Sequence, residues 1–107
     1  MPRLTDDGQT VTLDLHGARV DEALQMARRA LSLSAQRGRK RVDLVHGGST
    51  TDGVTHTIKS ELYGWIDGPQ SPRAVKSEQR TYAVLSLHLD LTTRAHPARL
   101  RLNDVMA

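Results

Sequence analysis

Hydrophobic and polar positions alternate strictly from Val11 to His16, with Val11, Leu13 and Leu15 on one side and Thr12, Asp14 and His16 on the other. That is the period of a strand with one buried face. Gly17 breaks the alternation, after which Val20, Ala23, Leu24, Ala27 and Leu31 recur at helical spacing opposite Glu22, Gln25, Arg29 and Ser32. The spacing predicts a helix from about Val20 to Gln36, closed by Gly38. Arg19 stands where a Ser, Thr or Asp cap is expected, so Asp21 and Glu22 support the first turn only through the helix dipole. Arg41 to His46 is β-branched and apolar and ends at Gly47-Gly48, which predicts a second strand. A strand-helix-strand unit of this length is almost always a right-handed crossover between parallel strands. Both carboxyl ends then emerge on one edge, with His16 and His46 on one rim.

Beyond the loop 47–53, Val54, Ile58, Leu62 and Trp65 mark the stripe of a second helix, stopped by Asp67-Gly68-Pro69 and with Thr51 or Asp52 as its cap. A short strand is expected around Arg73 to Ser77. A longer one spans Tyr82 to Leu91, whose Ala83, Leu85, Leu87, Leu89 and Leu91 would face the helices. Leu100 and Leu102 alternate with Arg99 and Arg101, so the tail is either an edge strand or a loose basic end. The expected fold is α/β, an α+β two-layer sandwich: a mixed four-stranded sheet in the order β-α-β-α-β-β with two helices packed on it. Residues 11–91 form the single domain, 1–10 a flexible N-terminus and 92–107 a basic tail.

The chain has 107 residues, 37% of them hydrophobic, and no cysteine. This fits one core, and it removes disulfides, thiolate metal sites and a thiol nucleophile together. No apolar run approaches the roughly 20 residues of a membrane helix, and MPRLTDDGQT lacks the apolar segment of a secretory signal. A cytoplasmic protein is therefore expected, with no membrane partner. With no long second apolar face, a monomer is the default. The formal charge is +3, and the only lysines are Lys40, Lys59 and Lys76, so the basic residues are mostly arginine, suited to bidentate contact with phosphate or carboxylate. They cluster as Arg37, Arg39, Lys40 and Arg41, as Arg73, Lys76 and Arg80, and as Arg94, Arg99 and Arg101. Such clusters are solvated corners or, where they converge, a phosphate-binding surface. The aromatics are only Tyr63, Trp65 and Tyr82. That argues against a base-stacking platform of the RNA-recognition type and for nucleic-acid contact mostly through phosphate.

The rim with His16 and His46 is where open α/β sheets place ligands. Gly47, Gly48, Ser49 and Thr50 lead from it toward the second helix, and such a loop either cradles a phosphate or is only a flexible connection. Asp14 and His16 point the same way from one strand, so the carboxylate can orient an imidazole whose ordinary pKa of ~6.5 suits proton transfer, with His46 across from them. The plainer alternative is that Asp14 ties down a loop N–H and each histidine satisfies a strand-end carbonyl. His56, His88 and His96 lack such company and read as structural or surface residues. An Asp-x-His pair with a distant His leaves room for a divalent ion such as Mg or Mn, but no ligand spacing is strong. No nucleophile elbow, P-loop or dinucleotide fingerprint is present.

Leu13-Asp14-Leu15-His16-Gly17 followed by Asp21-Glu22-Ala23, and then Val45-His46-Gly47 after a helix and a strand, resembles the Smr (small MutS-related) domain. The likeness runs from about Val11 to Leu89, and Trp65-Ile66 and Tyr82-Ala83-Val84-Leu85 are similar to the helix end and last strand of the stand-alone bacterial members. The resemblance implies a domain that binds branched or structured DNA, or RNA, with nicking or cleavage by several members, and places the functional positions at Asp14, His16, His46 and Gly47. Two loops depart from the pattern. His-Gly-x-Gly reads His46-Gly47-Gly48-Ser49, and Ser77-Glu78-Gln79-Arg80 stands where Gly-Gly-x-Gly is usual.

The first expectation is a nucleic-acid-binding domain with structure-directed endonuclease activity. In it Arg37, Arg39, Lys40 and Arg41, or Arg73, Lys76 and Arg80, hold phosphates, the Gly47 and Gly48 amides take the scissile group, and His16 and His46 act as acid and base with Asp14 orienting one of them. The altered loops support an alternative, a non-catalytic module for branched DNA or ribosome-associated RNA. A third reading is a small phosphate-ester or nucleotide-binding protein whose basic clusters are incidental.

Overall fold

The computed structural model describes residues 2–47, 57–90 and 95–106. Its elements are β1 (Arg3–Asp6), β2 (Thr10–Asp14), α1 (Val20–Gln36), β3 (Arg41–Val45), α2 (Ile58–Asp67), β4 (Val75–Arg80), β5 (Val84–Leu89) and α3 (Leu102–Val105). The sheet is five-stranded in the order β1-β2-β3-β5-β4, with β2 and β3 parallel and the other neighbours antiparallel. The class is α+β, as expected, with one strand more than the four anticipated.

The additional strand lies in the segment expected to be a flexible terminus. Arg3 to Asp6 pairs with β2, and the turn between them is tied by side chains. Asp7 Oδ1 accepts from the amides of Gln9 and Thr10 at 2.8 and 2.7 Å, Asp6 Oδ1 accepts from Gly8 N, and Gly8 takes φ +96°. An Asp-Gly pair serves that role well, because glycine enters the left-handed region without steric cost. The tail differs too. Its ordered element is the short helix α3, not an edge strand; Val105 is buried against the core, and Leu91 and Arg94 lie outside the described residues.

Helix α1 spans the predicted Val20–Gln36, with Arg19 making no side-chain cap. Ala23, Ala27 and Ala30 are fully buried, small enough to let the helix lie close on β2 and β3. Its end is a Schellman arrangement. Arg39 N donates to Ser34 O at 2.9 Å, Gly38 N to Ala35 O at 3.3 Å, and Gly38 has φ +69°. Helix α2 is capped by Thr57, not by Thr51 or Asp52, which lie outside the described residues. Thr57 and Ser60 form a capping box, each side chain accepting from the other's backbone N–H. The helix ends at Asp67 with Gly68 as its C-cap, as expected, and a Cβ on Gly68 would lie 2.7 Å from the Gly64 carbonyl.

Both crossovers advance in the same direction along the sheet, so α1 and α2 share one face and touch each other. Val11, Leu13, Val42, Leu44, Leu85, Leu87 and Leu89 meet them there, while Thr12, Asp14, Asp43, Ser86 and His88 alternate onto the other face. β4 begins and ends later than expected and carries a register shift between Val75 and Ser77, so Lys76 is an extra residue in the ladder.

Arg39, expected to hold phosphate, is instead fully buried. Its Nε donates to both Asp6 carboxylate oxygens at 2.9 and 3.1 Å, Nη1 to the carbonyls of Arg37 and His96, and Nη2 to the carbonyl of Ala98. Asp6 also accepts from the Leu100 amide at 2.7 Å. Burial alone would raise the Asp6 pKa, but the hydrogen bonds from Arg39, Leu100 and Gly8 and the guanidinium charge together hold it below the ordinary carboxylate value.

Arg39→Ala should destabilise the fold by about 3–5 kcal/mol in urea denaturation, because Asp6 is left as an uncompensated buried charge. Arg39→Lys should rescue little of it, since an ammonium cannot reproduce the planar fork. The folded-state pKa of Asp6 is the lower one, so the unfolded chain binds the extra proton. This contribution is therefore complete above the unfolded value of about 3.9 and is lost as pH falls through the folded one. A wild-type acid-unfolding curve no steeper than that of Asp6→Asn would contradict this.

Candidate active site

The parallel pairing of β2 with β3 brings Asp14 beside Val45, and Leu15 N extends the ladder to Val45 O at 2.9 Å. The ends of both strands, with His16 and His46, therefore meet at one edge of the sheet. They do not face the same way. His46 follows Val42 and Leu44 at the two-residue period, so it turns toward the helices and is only 8% exposed, whereas Asp14 lies on the open face. Asp14 Oδ1 accepts from the His16 backbone amide at 2.9 Å, and His16 is exposed. Among the described residues no hydrogen bond links the Asp14 carboxylate to either imidazole; the carboxylate shapes the turn that carries His16.

His46 has a defined protonation pattern. Its Nδ1 lies 2.7 Å from Gly47 O, and a carbonyl can only accept, so Nδ1 carries the proton. Nε2 is then a bare lone pair, buried and with no partner among the described residues. Burial disfavours the imidazolium and the nearby Lys59 charge adds to this, outweighing the Gly47 hydrogen bond, so the pKa lies below the usual histidine value. An unpaired buried acceptor costs about 1–3 kcal/mol and marks a group kept for something other than stability.

Around it stands a set of residues that carry no motif. Tyr63 of α2 meets the His46 ring edge-on, with centroids 5.8 Å apart and planes at 86°. Lys59 Nζ lies 5.7 Å from the centre of the Tyr63 ring and the Arg80 guanidinium 4.3 Å from it. Arg80 in turn pairs with Asp67 and, at 2.7 Å, with Glu78. Lys59, Tyr63 and Asp67 are spaced i, i+4, i+8, one stripe of α2, and that spacing is the signal the sequence holds for them.

The expected phosphate contacts are redistributed. The Gly47 amide donates to Ala83 O at 3.2 Å beside the His46 amide at 2.9 Å, so it is engaged inside the protein; Gly48, Ser49 and Thr50 lie outside the described residues. Gly47 has φ +80° with open space where a Cβ would be, so its role is the backbone turn. Arg37, Lys40, Arg41, Arg73 and Lys76 gather at the opposite end of the sheet, where Leu89 N bonds Lys40 O and Asp90 N bonds Ala74 O. The five-residue β3 separates them from His46 by about 15 Å at ~3.3 Å per residue. Only Arg80 of the predicted cations reaches the rim. His56 lies outside the described residues, His88 faces the open side of the sheet, and His96 Nδ1 accepts from Ala98 N. Among the described residues no three His, Asp or Glu side chains gather closely enough to hold a metal ion.

The site is thus set on an α+β sheet with helices on one face, with a neutral imidazole at the end of a parallel strand pair and cations at both ends of the sheet. The chain belongs to the Smr domain family, whose model matches residues 13–83. Searches of curated proteins and of solved structures returned no match. Membership makes this a nucleic-acid-binding, nuclease-like module. No helix among the described residues is long and apolar enough to cross a membrane.

Proton NMR should show the His46 ring titrating below the ordinary value of about 6.5. Lys59→Met, which removes a repelling charge, and Tyr63→Ala, which admits water, should each move the midpoint up. A wild-type midpoint at or above 6.5 would refute the assignment of a buried neutral imidazole.

Proposed function

We propose that this chain is a structure-directed endonuclease that cleaves phosphodiester bonds of DNA or RNA, with His46 as general base. The observation that carries this reading is the His46 Nε2 lone pair, fixed by the Nδ1–H donation to Gly47 and without a partner among the described residues. In the reaction Nε2 removes a proton from the attacking hydroxyl as its oxygen bonds to phosphorus. The P–O bond to the leaving group breaks, and His16, exposed on the same rim, supplies that oxygen with a proton. Nε2 is out of contact with solvent, so substrate reaches it only with a local rearrangement around the ring. Asp14 holds the His16 turn, and Lys59, whose charge is felt at His46, is a cation available to the scissile phosphate. The Mg or Mn ion anticipated from the sequence is a proposal that the assay below addresses directly.

Cations some 15 Å apart at the two ends of the sheet also support a polymeric substrate. One small phosphate ester cannot touch both, whereas a polynucleotide can. The engaged Gly47 amide and the carboxylates on Arg80 favour the second reading, a module that binds without cutting.

Supercoiled plasmid, branched DNA and single-stranded RNA, each with Mg²⁺, Mn²⁺ or EDTA, separate these readings. Cleavage of one substrate is expected, with His46→Ala lowering the rate by about 100-fold or more while binding persists. A His46→Ala variant that cleaves at the wild-type rate would remove His46 from the mechanism. Salt-dependent binding with no cleavage under any condition would leave the binding module.

A further inference from the structure

The β4–β5 hairpin ends in a two-residue turn, Tyr82-Ala83, closed by Thr81 and Val84. Thr81 N donates to Val84 O at 2.9 Å, and the Thr81 hydroxyl both donates to Val84 O and accepts from Val84 N. The Ala83 carbonyl then accepts from the amides of both His46 and Gly47. A rigidly pinned turn is thus fastened to the histidine by backbone hydrogen bonds, and the next residue on it is a tyrosine.

Tyr82 is 75% exposed, by far the most exposed large aromatic of the chain. Trp65 is buried in the core, and Tyr63 packs against His46. Tyr82 takes part in no ring or cation contact among the described residues. Two-residue hairpin turns favour Gly, Asn or Asp, so turn chemistry does not call for a tyrosine here. Nor does stability, since its ring stays in water.

We infer that Tyr82 is a stacking post for an unpaired nucleobase, so that the His46 rim engages single-stranded nucleic acid or the unpaired nucleotides of a folded one. This rests on the nucleic-acid reading above and narrows its substrate class. A nucleobase offers a flat apolar face that an exposed phenol ring can cover, whereas a paired base inside a duplex has both faces already stacked. The phosphate of a nucleotide held on Tyr82 would lie near Lys59 and His46, because the Ala83 carbonyl ties the turn to the His46–Gly47 backbone. One exposed aromatic selects for an unpaired base without reading its identity.

The test is binding of fluorescently labelled oligonucleotides, single-stranded and blunt-duplex of equal length, in both DNA and RNA forms, over a salt series. The proteins are wild type, Tyr82→Ala and Tyr82→Phe, each first checked for an unchanged thermal midpoint. Wild type should bind a single strand of at least one sugar type more tightly than the duplex. Tyr82→Ala should lose about tenfold on that strand, the order expected for one stacked base, with duplex affinity and salt slope unchanged. Tyr82→Phe should keep wild-type affinity, since it keeps the ring. The inference is overturned if Tyr82→Ala weakens single strand and duplex alike, if it changes neither, or if Tyr82→Phe loses as much as Tyr82→Ala. In each of those cases salt-dependent binding by wild type leaves the nucleic-acid reading standing; wild type that binds no oligonucleotide removes both.

Discussion

The structure hangs on the ion pair between Arg39 and Asp6. It joins the end of β1, the turn that follows α1 and the tail segment with the His96 and Ala98 carbonyls, three stretches of chain distant in sequence. A domain of this size with no disulfide has few other ways to secure its ends. Because the guanidinium donates to three carbonyls as well as to the carboxylate, its desolvation is largely offset by hydrogen bonds of good length. The Schellman turn of α1 makes this geometry available. Gly38 reverses the chain, and the next residue points inward under the sheet edge.

The clasp lies at the end of the sheet away from His46, and that polarity organises function. At one end the charges are matched and buried, with a fringe of exposed cations around them; at the other an imidazole lone pair has no match among the described residues. The same material, arginine against carboxylate, gives rigidity in the first place. In the second, Arg80 braces Tyr63 against the histidine while spending its charge on Asp67 and Glu78.

Much of the fold was legible because each main element buries one face and leaves the other wet. Alternation exposed β2 and β5, a β-branched apolar run ending in glycines exposed β3, and the helical period exposed α1 to its terminal residues. β1 was hidden because Arg3 to Asp6 has a single apolar residue, Leu4, and only the Asp-Gly turn announces it. Among the candidate site residues, the position of His46 at a strand end was legible in the sequence. Its orientation follows from counting in twos from Leu44, which sets it apart from Asp14. Arg39 was misread because charge in a sequence reads as exposure, and nothing local marks an arginine whose partner stands 33 positions earlier. Tyr63 and Lys59 were silent because their meaning depends on which strand α2 covers.

The extra residue at Lys76 has a consequence out of proportion to its place at the sheet's edge. Counted from Val75 in a regular strand, Glu78 and Arg80 would point to the helix-free side. The bulge resets the phase, so that Arg80 pairs opposite Leu85 and turns toward Tyr63. The chemistry around the histidine is thus governed by a residue count as well as by residue types. Were the same residues paired without the bulge, Arg80 would be carried to the wet face and Gln79, opposite Leu85, would turn toward Tyr63. A shift of pairing at a distant edge, as much as an exchange at the rim, is thus a route by which such a domain can acquire or lose a charge beside His46.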